Sequence, residues 1–354
     1  MRPRLTPAIA DVRRAVRLAL DMERFSGGLL ADAPEIRNQS DLTPEALEKR
    51  QPLVLVALSG GPDSLALAAA TAFEAPRAGL RAGAVIVDHG LQAGSADVAA
   101  RASAQAAALG LDPVVTRTAQ VGTDGGPEAA ARTARYRELD AAATELGAEL
   151  VLLGHTLDDQ AETVLLGLAR GSGPASLAGM RERTGRYLRP LLGIRRATTT
   201  QFCADSGLEP WLDPQNDDPA FARVRVRRDL LPMLRDALGP GIPESLARTA
   251  EQLREDSDAL DHFAEEIAED LAEHSEAGIS LPVRSLQVQP AALRQRLIRL
   301  VVASEFHLSL SRAQTLEVAR LVTDWHGQGA IDLPGIKVER RGGVLAFEAT
   351  QQHS

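Results

Sequence analysis

The stretch that decides the fold runs from Leu53 to Phe73 and reads LVLVALSGGPDSLALAAATAF. Its apolar run Leu53 to Leu58 predicts a buried strand, and its alanine- and leucine-rich part, Leu65 to Phe73, predicts a helix. Between them lies a glycine-rich turn, in which glycine lets the backbone approach a ligand closely. Because the free N–H groups of a helix start attract anions, we expect phosphate to bind the turn residues, Ser59, Gly60, Gly61, Pro62, Asp63 and Ser64.

The glycine-rich turn carries an aspartate, Asp63, and lacks the lysine followed by Ser or Thr of a Walker loop. A carboxylate does not attract phosphate directly. Mg²⁺, however, binds through one or two carboxylates together with substrate phosphates. We therefore predict Asp63 to be a catalytic residue and the Mg²⁺ ligand. A serine-capped turn without a ligand is the alternative, because Ser, Gly and Asp are ordinary turn residues.

Length and composition indicate a two-domain protein. The chain has 354 residues, more than a single core usually supports. No stretch of about 20 apolar residues is present, and arginines interrupt the apolar N-terminal segment, so we expect a cytoplasmic protein without a membrane partner. The single cysteine, Cys203, excludes an internal disulfide and a Cys-x-x-Cys pair, and we expect it to be buried filler.

The charge is unevenly distributed. The net charge of −9 argues against nonspecific nucleic-acid binding. Arginine is nevertheless concentrated between Arg170 and Arg196 and again between Arg223 and Arg228, whereas acidic residues dominate from Glu251 to Asp270. Arginine suits phosphate contacts and stacking on bases, although a solvated surface is the ordinary explanation of such a run.

Apolar periodicity predicts the order of the elements. Within 1–50 we expect a leading amphipathic helix followed by a linker. From Leu53, short apolar runs alternate with helical segments, among them Pro127 to Leu146, which indicates βαβ units and a parallel sheet. After Pro243 we expect helices, among them Arg312 to Thr323, a loop at Leu281-Pro282-Val283 and short closing strands. The predicted fold is α/β, a doubly wound, mostly parallel sheet over 51–240, followed by a smaller, mainly helical domain over 241–354.

Polar residues follow three of the predicted strands. They are the glycine-rich turn, Asp88-His89-Gly90, and the segment Gly154 to Thr163, which reads GHTLDDQAET. In open parallel sheets, ligands bind beyond the carboxyl ends of the strands. We therefore expect the three to converge at one edge, with Asp88 and His89 joining the nucleotide site.

The segment Gly154 to Thr163 concentrates ionisable groups at the start of a helix. Asp159 and Glu162 are three residues apart and share a helical face. Capping of the helix explains one or two of its carboxylates, but not three carboxylates with a glutamine and a histidine. Carboxylates hold an ammonium group or a metal, and His155 can contact phosphate or transfer a proton. On the preceding helix, Arg132 and Arg135 could neutralise charge on a phosphoryl group, although an exposed arginine pair is usually solvated.

Together these motifs resemble the ATP-pyrophosphatase superfamily, and specifically the tRNA(Ile)-lysidine synthetases. The family motifs, as they stand here, are Ser59-Gly60-Gly61-Pro62-Asp63-Ser64, Asp88-His89-Gly90-Leu91, Ala131-Arg132-x-x-Arg135-Tyr136, Gly154-His155-x-x-Asp158-Asp159-Gln160-Ala161-Glu162-Thr163, Arg170-Gly171-Ser172-Gly173, Leu177-Ala178-Gly179-Met180, Arg189-Pro190-Leu191-Leu192, Trp211-x-Asp213-Pro214 and Arg223-x-Arg225-x-Arg227. The resemblance covers roughly 53–235 well and the region to about 349 more loosely. The resemblance implies an adenine nucleotide α-hydrolase-like fold.

The resemblance also implies a reaction. ATP adenylates the C2 oxygen of the wobble cytidine in tRNA(Ile) with a CAU anticodon, and the ε-amine of free L-lysine then displaces AMP. Asp159 and Glu162 would bind lysine, and the implied catalytic residues are Asp63, Arg132, Arg135, His155 and Asp159. The implied tRNA contacts are Arg170, Arg189, Arg195, Arg223, Arg225 and Arg227. Because the elongator methionine tRNA precursor shares the anticodon, the helical region after Pro243 is the candidate reader of other elements. A homodimer is left open.

Some features depart from the family pattern. Members often carry an asparagine within the Arg223 to Arg227 segment, where this chain has valines. The chain ends soon after Glu348, so we expect a short form. The rivals are a 2-thiocytidine tRNA thiolase, which usually needs cysteine pairs, an amidotransferase-type synthetase and a catalytically idle ATP- and RNA-binding protein.

Overall fold

A computed structural model describes residues 5–25, 51–88, 90, 94–120, 122, 126–171, 173–213, 218–275 and 278–350. The chain divides into two compact units, Met1–Ala250 and Glu251–Ser354. The predicted linker in 26–50, His89 and the motif residues Leu91, Ser172 and Pro214 lie outside the described residues. Within the described ranges, no helix is both long and apolar enough to cross a membrane.

The first unit contains a six-stranded sheet. Its strands are β1 (Leu53–Ala57), β2 (Arg81–Asp88), β3 (Val114–Thr118), β4 (Ala148–Leu152), β5 (Arg183–Thr184) and β6 (Tyr187–Leu188). The order is β3-β2-β1-β4-β6-β5, and every neighbouring pair is parallel except the β5–β6 hairpin. β1 is buried along its whole length, which explains its continuous apolar run, since a central parallel strand is covered on both faces.

Helices surround this sheet on both faces. The helices in chain order are α1 (Pro7–Phe25), α2 (Pro62–Glu74), α3 (Ser95–Ala108), α4 (Pro127–Leu146), α5 (Leu157–Arg170), α6 (Pro174–Leu177), α7 (Arg196–Ser206), α8 (Ala222–Arg225), α9 (Leu231–Leu238) and α10 (Ile242–Leu271). Helices α1, α2, α3 and α7 share one apolar core with the sheet, and α4 packs in a second core. The predicted doubly wound, mostly parallel sheet is confirmed.

The strand order brings the predicted site segments together. β2, β1 and β4 are adjacent and parallel, so their carboxyl ends meet at one edge of the sheet. The glycine-rich turn follows β1, Asp88 ends β2, and Gly154 follows β4. The expected convergence of these three strand ends is therefore confirmed.

The second unit combines helices with an antiparallel sheet. Its elements are β7 (Glu273–Ser275), β8 (Gly278–Pro282), α11 (Val283–Val288), α12 (Ala291–Phe306), α13 (Arg312–Thr323), β9 (Ile331–Leu333), β10 (Ile336–Arg341) and β11 (Val344–Ala349). The strand order is β7-β8-β11-β10-β9. The prediction of a loop at Leu281-Pro282-Val283 was wrong, because Leu281 is fully buried and pairs with Leu345 of β11, and Val283 begins α11.

Candidate active site

The glycine-rich turn is held in shape by its own side chains. Gly60 has a φ of +83°, a conformation that glycine adopts without strain. The Ser64 hydroxyl accepts from the Ser59 N–H at 3.2 Å and donates to the Gly61 carbonyl at 3.1 Å. The helical ladder begins with the Leu65 N–H on the Gly61 carbonyl at 3.0 Å. The N–H groups ahead of it are therefore not used by the helix and can bind an anion.

A cavity of about 150 Å³ opens beside the turn. It is lined by Ala57, Leu58, Ser59, Val85, Ile86, Val87, Asp88, Gly90, Ser95, Val98, Ala99, Arg135, Leu139, Trp211 and Asp213. The Trp211 N–H donates to the Gly60 carbonyl at 2.9 Å, so the tryptophan segment is fixed against the turn. Mostly apolar walls with a few polar groups are typical of a small-molecule site.

The predicted arginine pair on α4 is divided between the cavity and the surface. Arg135 lines the cavity, and burial lowers the pKa of its guanidinium. Arg132 is exposed, and its Nη2 donates to the Tyr136 hydroxyl at 3.3 Å. Of the two, Arg135 is therefore the one placed to meet a ligand in the cavity.

Three carboxylates from two helices converge on the guanidinium of Arg196, at the start of α7. Its Nη2 lies 2.8 Å from Asp159 Oδ1, its Nη1 lies 3.1 Å from Glu162 Oε1, and its Nε lies 3.4 Å from Asp63 Oδ2. Asp63 belongs to the glycine-rich turn, whereas Asp159 and Glu162 belong to α5. Arg196 thus joins the predicted phosphate site to the predicted amine site.

Glu162 is the most enclosed of these carboxylates, with a side-chain exposure of 0%. Besides Arg196, it accepts from Arg223 Nε at 2.8 Å and from Arg227 Nε and Nη2 at 2.8 and 3.1 Å. We call Asp63, Asp159, Glu162, Arg196, Arg223 and Arg227 the charge cluster. Its three acids and three arginines balance formally, which lets the charges remain buried.

Asp159 caps α5 and also enters the charge cluster. Its Oδ2 accepts from the Thr156 N–H at 2.8 Å and from the Thr156 hydroxyl at 2.7 Å, forming a capping box. Burial alone would raise the pKa of Asp159, but Arg196 and Arg223 together with the Thr156 bonds lower it. Asp159 therefore has the predicted capping role and, in addition, an ion pair with Arg196.

Asp63 has a less favourable environment. Burial raises its pKa to about 6, against the opposing effects of a hydrogen bond from the Thr199 hydroxyl and the charge of Arg196. No cluster of three or more His, Cys, Asp or Glu suited to a metal occurs among the described residues. A single carboxylate beside a phosphate site nevertheless fits Mg²⁺, which takes the rest of its ligands from phosphate oxygens and water.

His155 is held as a neutral imidazole. Burial first of all, together with the nearby arginines 189, 135 and 223, lowers its pKa to about 3, against the opposing charge of Asp159. Its Nδ1 is buried and has no hydrogen-bond partner. A neutral ring with an unpaired nitrogen can accept a hydrogen bond from a ligand, whereas it cannot serve as a cation for phosphate.

Comparison with known proteins identifies the family. The PP-loop domain family matches residues 34–234, and the TilS substrate binding domain family matches residues 281–345. The tRNA(Ile)-lysidine synthase of Leifsonia xyli subsp. xyli is 64% identical over 296 residues, which is 83% of this chain and 89% of the relative. That of Streptomyces coelicolor is 49% identical and covers 95% of this chain and 97% of its own length. The chain belongs to the tRNA(Ile)-lysidine synthase family.

A solved structure supports the fold independently. The U34-tRNA thiolase NcsA from Methanococcus maripaludis matches with a TM-score of 0.53 at 20% identity, covering 70% of this chain and 80% of that chain. At this identity the likeness concerns the fold alone. Membership of the tRNA(Ile)-lysidine synthase family confirms the predicted family and the expectation of an enzyme, and it favours lysidine formation over the thiolase, amidotransferase and idle-binder rivals.

The residues predicted from the family to contact tRNA occupy different environments. Arg189 is 6% exposed and donates to the Arg181 carbonyl and the Thr184 hydroxyl, so it faces the interior. Arg195 bonds both oxygens of Asp158, at 3.0 and 3.1 Å, and Glu244 at 2.7 Å. Arg223 and Arg227 belong to the charge cluster. The exposed members are Arg170 and Arg225, and Arg225 donates to the carbonyls of Pro219 and Ala220.

Three residues at the site were not predicted to act there. Arg196 was noted only as part of a basic run, Trp211 only as part of a family motif, and Thr199 was not noted. A usable signal did exist for Arg196, since three predicted site carboxylates need cationic partners if they are buried. Nothing in the amino-acid sequence distinguishes Thr199 from the threonines on either side of it.

Proposed function

We propose that this chain ligates free L-lysine to C2 of the wobble cytidine in tRNA(Ile) with a CAU anticodon. In the first step the C2 oxygen of the base attacks the α-phosphorus of ATP, and diphosphate leaves. In the second step the ε-amine of lysine attacks C2, AMP leaves with the oxygen, and the amine loses its proton. The observation that carries the proposal is the meeting of the glycine-rich turn, the cavity and the charge cluster at one edge of the sheet in a chain of this family.

ATP is proposed to bind across the cavity and the turn. The adenosine would lie between the apolar walls and Trp211, and Asp88 at the end of β2 is placed for a ribose hydroxyl. The phosphates would reach the free N–H groups of the turn, with Asp63 as the protein ligand of Mg²⁺. That cation would stabilise the charge that develops on the leaving diphosphate. Arg135 adds a guanidinium on the cavity wall for the same purpose, with Arg132 outside it.

Lysine is proposed to bind at Asp159 and Glu162. Two carboxylates on one helical face suit an ammonium group. The guanidinium of Arg196, which contacts both of them, also contacts Asp63 in the glycine-rich turn. His155 is neutral and has an unpaired ring nitrogen, so it would accept a hydrogen bond from the amine, and the proton that the amine loses would pass to water. The predicted tRNA arginines would hold the RNA backbone, and the second unit would read features that distinguish the isoleucine tRNA. The setting is cytoplasmic, and a homodimer stays a prediction.

Label transfer tests this function. Purified protein, Mg-ATP and radiolabelled lysine are mixed with a CAU isoleucine tRNA transcript or with a methionine tRNA, and label in acid-precipitated RNA is counted. We expect label on the isoleucine tRNA alone, together with stoichiometric AMP and diphosphate. Formation of AMP and diphosphate without label would show that lysine is not the nucleophile and would refute the proposal.

A further inference from the structure

The lysine-binding carboxylates are fully engaged in the structure of the ligand-free chain. Glu162 accepts four hydrogen bonds, one from Arg196, one from Arg223 and two from Arg227. Asp159 gives one oxygen to Thr156 and the other to Arg196 at 2.8 Å. A carboxylate has about four acceptor positions, so Glu162 has none left for an incoming ammonium group.

Among the three arginines of the charge cluster, Arg196 has a particular position. Arg223 and Arg227 contact acids of α5, Asp159 and Glu162, and the ion pairs described for them do not include Asp63. Arg196 contacts both of those acids and also Asp63 in the glycine-rich turn. Any change at the turn therefore reaches the amine site directly through this side chain.

We propose that Arg196 couples the two small substrates. In the nucleotide-free chain its guanidinium occupies the amine site, and binding of Mg-ATP at the glycine-rich turn draws it away, which opens Asp159 and Glu162 to the ammonium group of lysine. This inference rests on the proposed function, because it takes the amine substrate to be lysine. Arg196 is thus a positioning residue that makes lysine binding depend on nucleotide.

Charge and hydrogen bonding give the movement its direction. A divalent cation bound to Asp63 repels the guanidinium of Arg196 and weakens its 3.4 Å contact with that carboxylate, because both groups are positively charged. The phosphates of the nucleotide offer the guanidinium new acceptors, and arginine forms strong bidentate bonds with phosphate. Once the guanidinium leaves, Asp159 loses its nearest cationic partner and keeps only the 3.7 Å contacts with Arg223 and Arg227. Glu162 loses one of four hydrogen bonds, so an ammonium group becomes the favoured replacement.

The backbone around Arg196 is fixed, so the movement is confined to the side chain. The Arg196 N–H donates to Asp158 Oδ2 at 2.8 Å, and Asp158 also holds Arg195 through two bonds. Arg195 in turn is bonded to Glu244. The start of α7 is thereby tied to the start of α5, and the guanidinium of Arg196 can change partners without movement of the helix.

Lysine binding to the full-length chain measures the coupling without any turnover. The dissociation constant of radiolabelled lysine is determined by equilibrium dialysis, without tRNA, in the absence and presence of Mg²⁺ with α,β-methylene-ATP, which cannot be split at the bond that adenylation breaks. For the unmodified chain we expect lysine to bind about 5- to 150-fold more tightly with the nucleotide, the usual range for coupled sites. The nucleotide should bind more tightly with lysine by the same factor.

Three variants separate the coupling from a simple effect of charge. Arg196→Gln should bind lysine without nucleotide, and the ratio of the two dissociation constants should fall close to one. Arg227→Gln is the matched control, since it removes one guanidinium from Glu162 without a described contact to Asp63. It should tighten lysine binding in both conditions and keep the ratio of the unmodified chain. Arg196→Lys, which retains the charge, should restore part of the ratio, and circular dichroism of each variant verifies that it is folded.

The outcomes distinguish this inference from the proposed function. Equal lysine affinity with and without nucleotide in the unmodified chain, or an unchanged ratio in folded Arg196→Gln, would refute the coupling and leave the proposed function standing. A chain that binds the nucleotide but transfers no lysine to tRNA in the label assay would refute the proposed function as well.

Discussion

The carboxylate of Glu162 is fully buried and contacts three guanidinium groups. Replacing this buried carboxylate by a neutral side chain lowers stability, because each arginine would keep its charge and lose its carboxylate acceptor. We predict that Glu162→Gln lowers the free energy of unfolding of the first unit by about 3–5 kcal/mol, the usual effect of breaking a buried ion pair. Urea unfolding followed by circular dichroism at pH 7.5 measures the change.

An exposed ion pair provides the control for Glu162. Arg117 pairs with Glu145, whose side chain is 63% exposed. Surface pairs contribute about 0–1 kcal/mol, so Glu145→Gln should shift the transition only within that range. If the two substitutions gave equal shifts, the charge cluster would not contribute to stability as argued.

His155 makes the stability of the first unit depend on pH. Its pKa is lowered to about 3 by burial first of all, whereas an unfolded histidine has a pKa of about 6.5. Between these values the unfolded chain binds a proton that the folded chain does not, so stability falls as pH is lowered below about 6.5. At pH 5 this amounts to about 2 kcal/mol relative to neutral pH.

Comparison with His155→Gln isolates this contribution. The free energy of unfolding is measured for both chains at pH 5 and pH 7.5, and the unmodified chain should lose about 2 kcal/mol more than the variant. Equal losses in the two chains would show that His155 titrates normally in the folded state, which would contradict its lowered pKa and its assignment as a neutral side chain at low pH.

At the scale of elements, sequence patterns predicted those with strong local signals. Helices α4 and α13 have the predicted bounds, Pro127–Leu146 and Arg312–Thr323. The first begins with proline and ends before a left-handed glycine, and the second is preceded by a Ser311 capping box. Strands β5 and β6, of two residues each, carry no such signal, because so short a pair exists only through its neighbours in the sheet.

The chemistry of the site was predictable only where it is local in sequence. The glycine-rich turn and the Asp159–Glu162 face each lie within one short segment, so spacing alone indicated them. The partners of Arg196 lie 34, 37 and 133 residues away, and only the fold brings them together. Three predicted tRNA arginines, Arg195, Arg223 and Arg227, proved to be paired with carboxylates for the same reason, since a basic run in a sequence does not show which acids will face it.

The end of β4 packs directly against the glycine-rich turn, and this contact depends on Gly154. A Cβ at this position would lie 3.0 Å from the Ser64 N and 3.1 Å from the Asp63 carbonyl carbon, so an alanine methyl group there would push against the backbone of the turn that we propose binds phosphate. We predict that Gly154→Ala weakens Mg-ATP binding by about tenfold or more, equivalent to at least about 1.4 kcal/mol. Isothermal titration calorimetry with ATP gives the dissociation constant.

Gly193 is a suitable control for that substitution. It lies in the same unit, and a Cβ there would meet nothing within 4 Å. Gly193→Ala should therefore leave nucleotide affinity within about twofold of the unmodified chain, about 0.4 kcal/mol. Tight ATP binding by a folded Gly154→Ala chain would contradict the assignment of the turn as the phosphate site.

Considered as a whole, the chain is acidic although its substrate is a polyanion. The net charge is −9, and several arginines near the site are engaged with carboxylates of the first unit. Nonspecific attraction of RNA is therefore weak, and affinity must come from a limited number of exposed arginines together with specific contacts. Phosphate contacts are the same in every tRNA, whereas specific contacts can differ between tRNAs. Dependence on specific contacts therefore favours selection among tRNAs over general RNA binding.

Arg170 is the test of this argument, because it is exposed at the end of α5. Each phosphate contact contributes about 0.7–0.9 to the slope of log affinity against log salt concentration. We predict that Arg170→Ala reduces the magnitude of this slope for tRNA binding by about that amount. It should weaken the binding of isoleucine tRNA and methionine tRNA equally. Fluorescence anisotropy between about 50 and 200 mM salt measures it. Arg14→Ala, which removes an exposed side chain of α1, is the control, and equal slopes for both variants would show that Arg170 makes no phosphate contact.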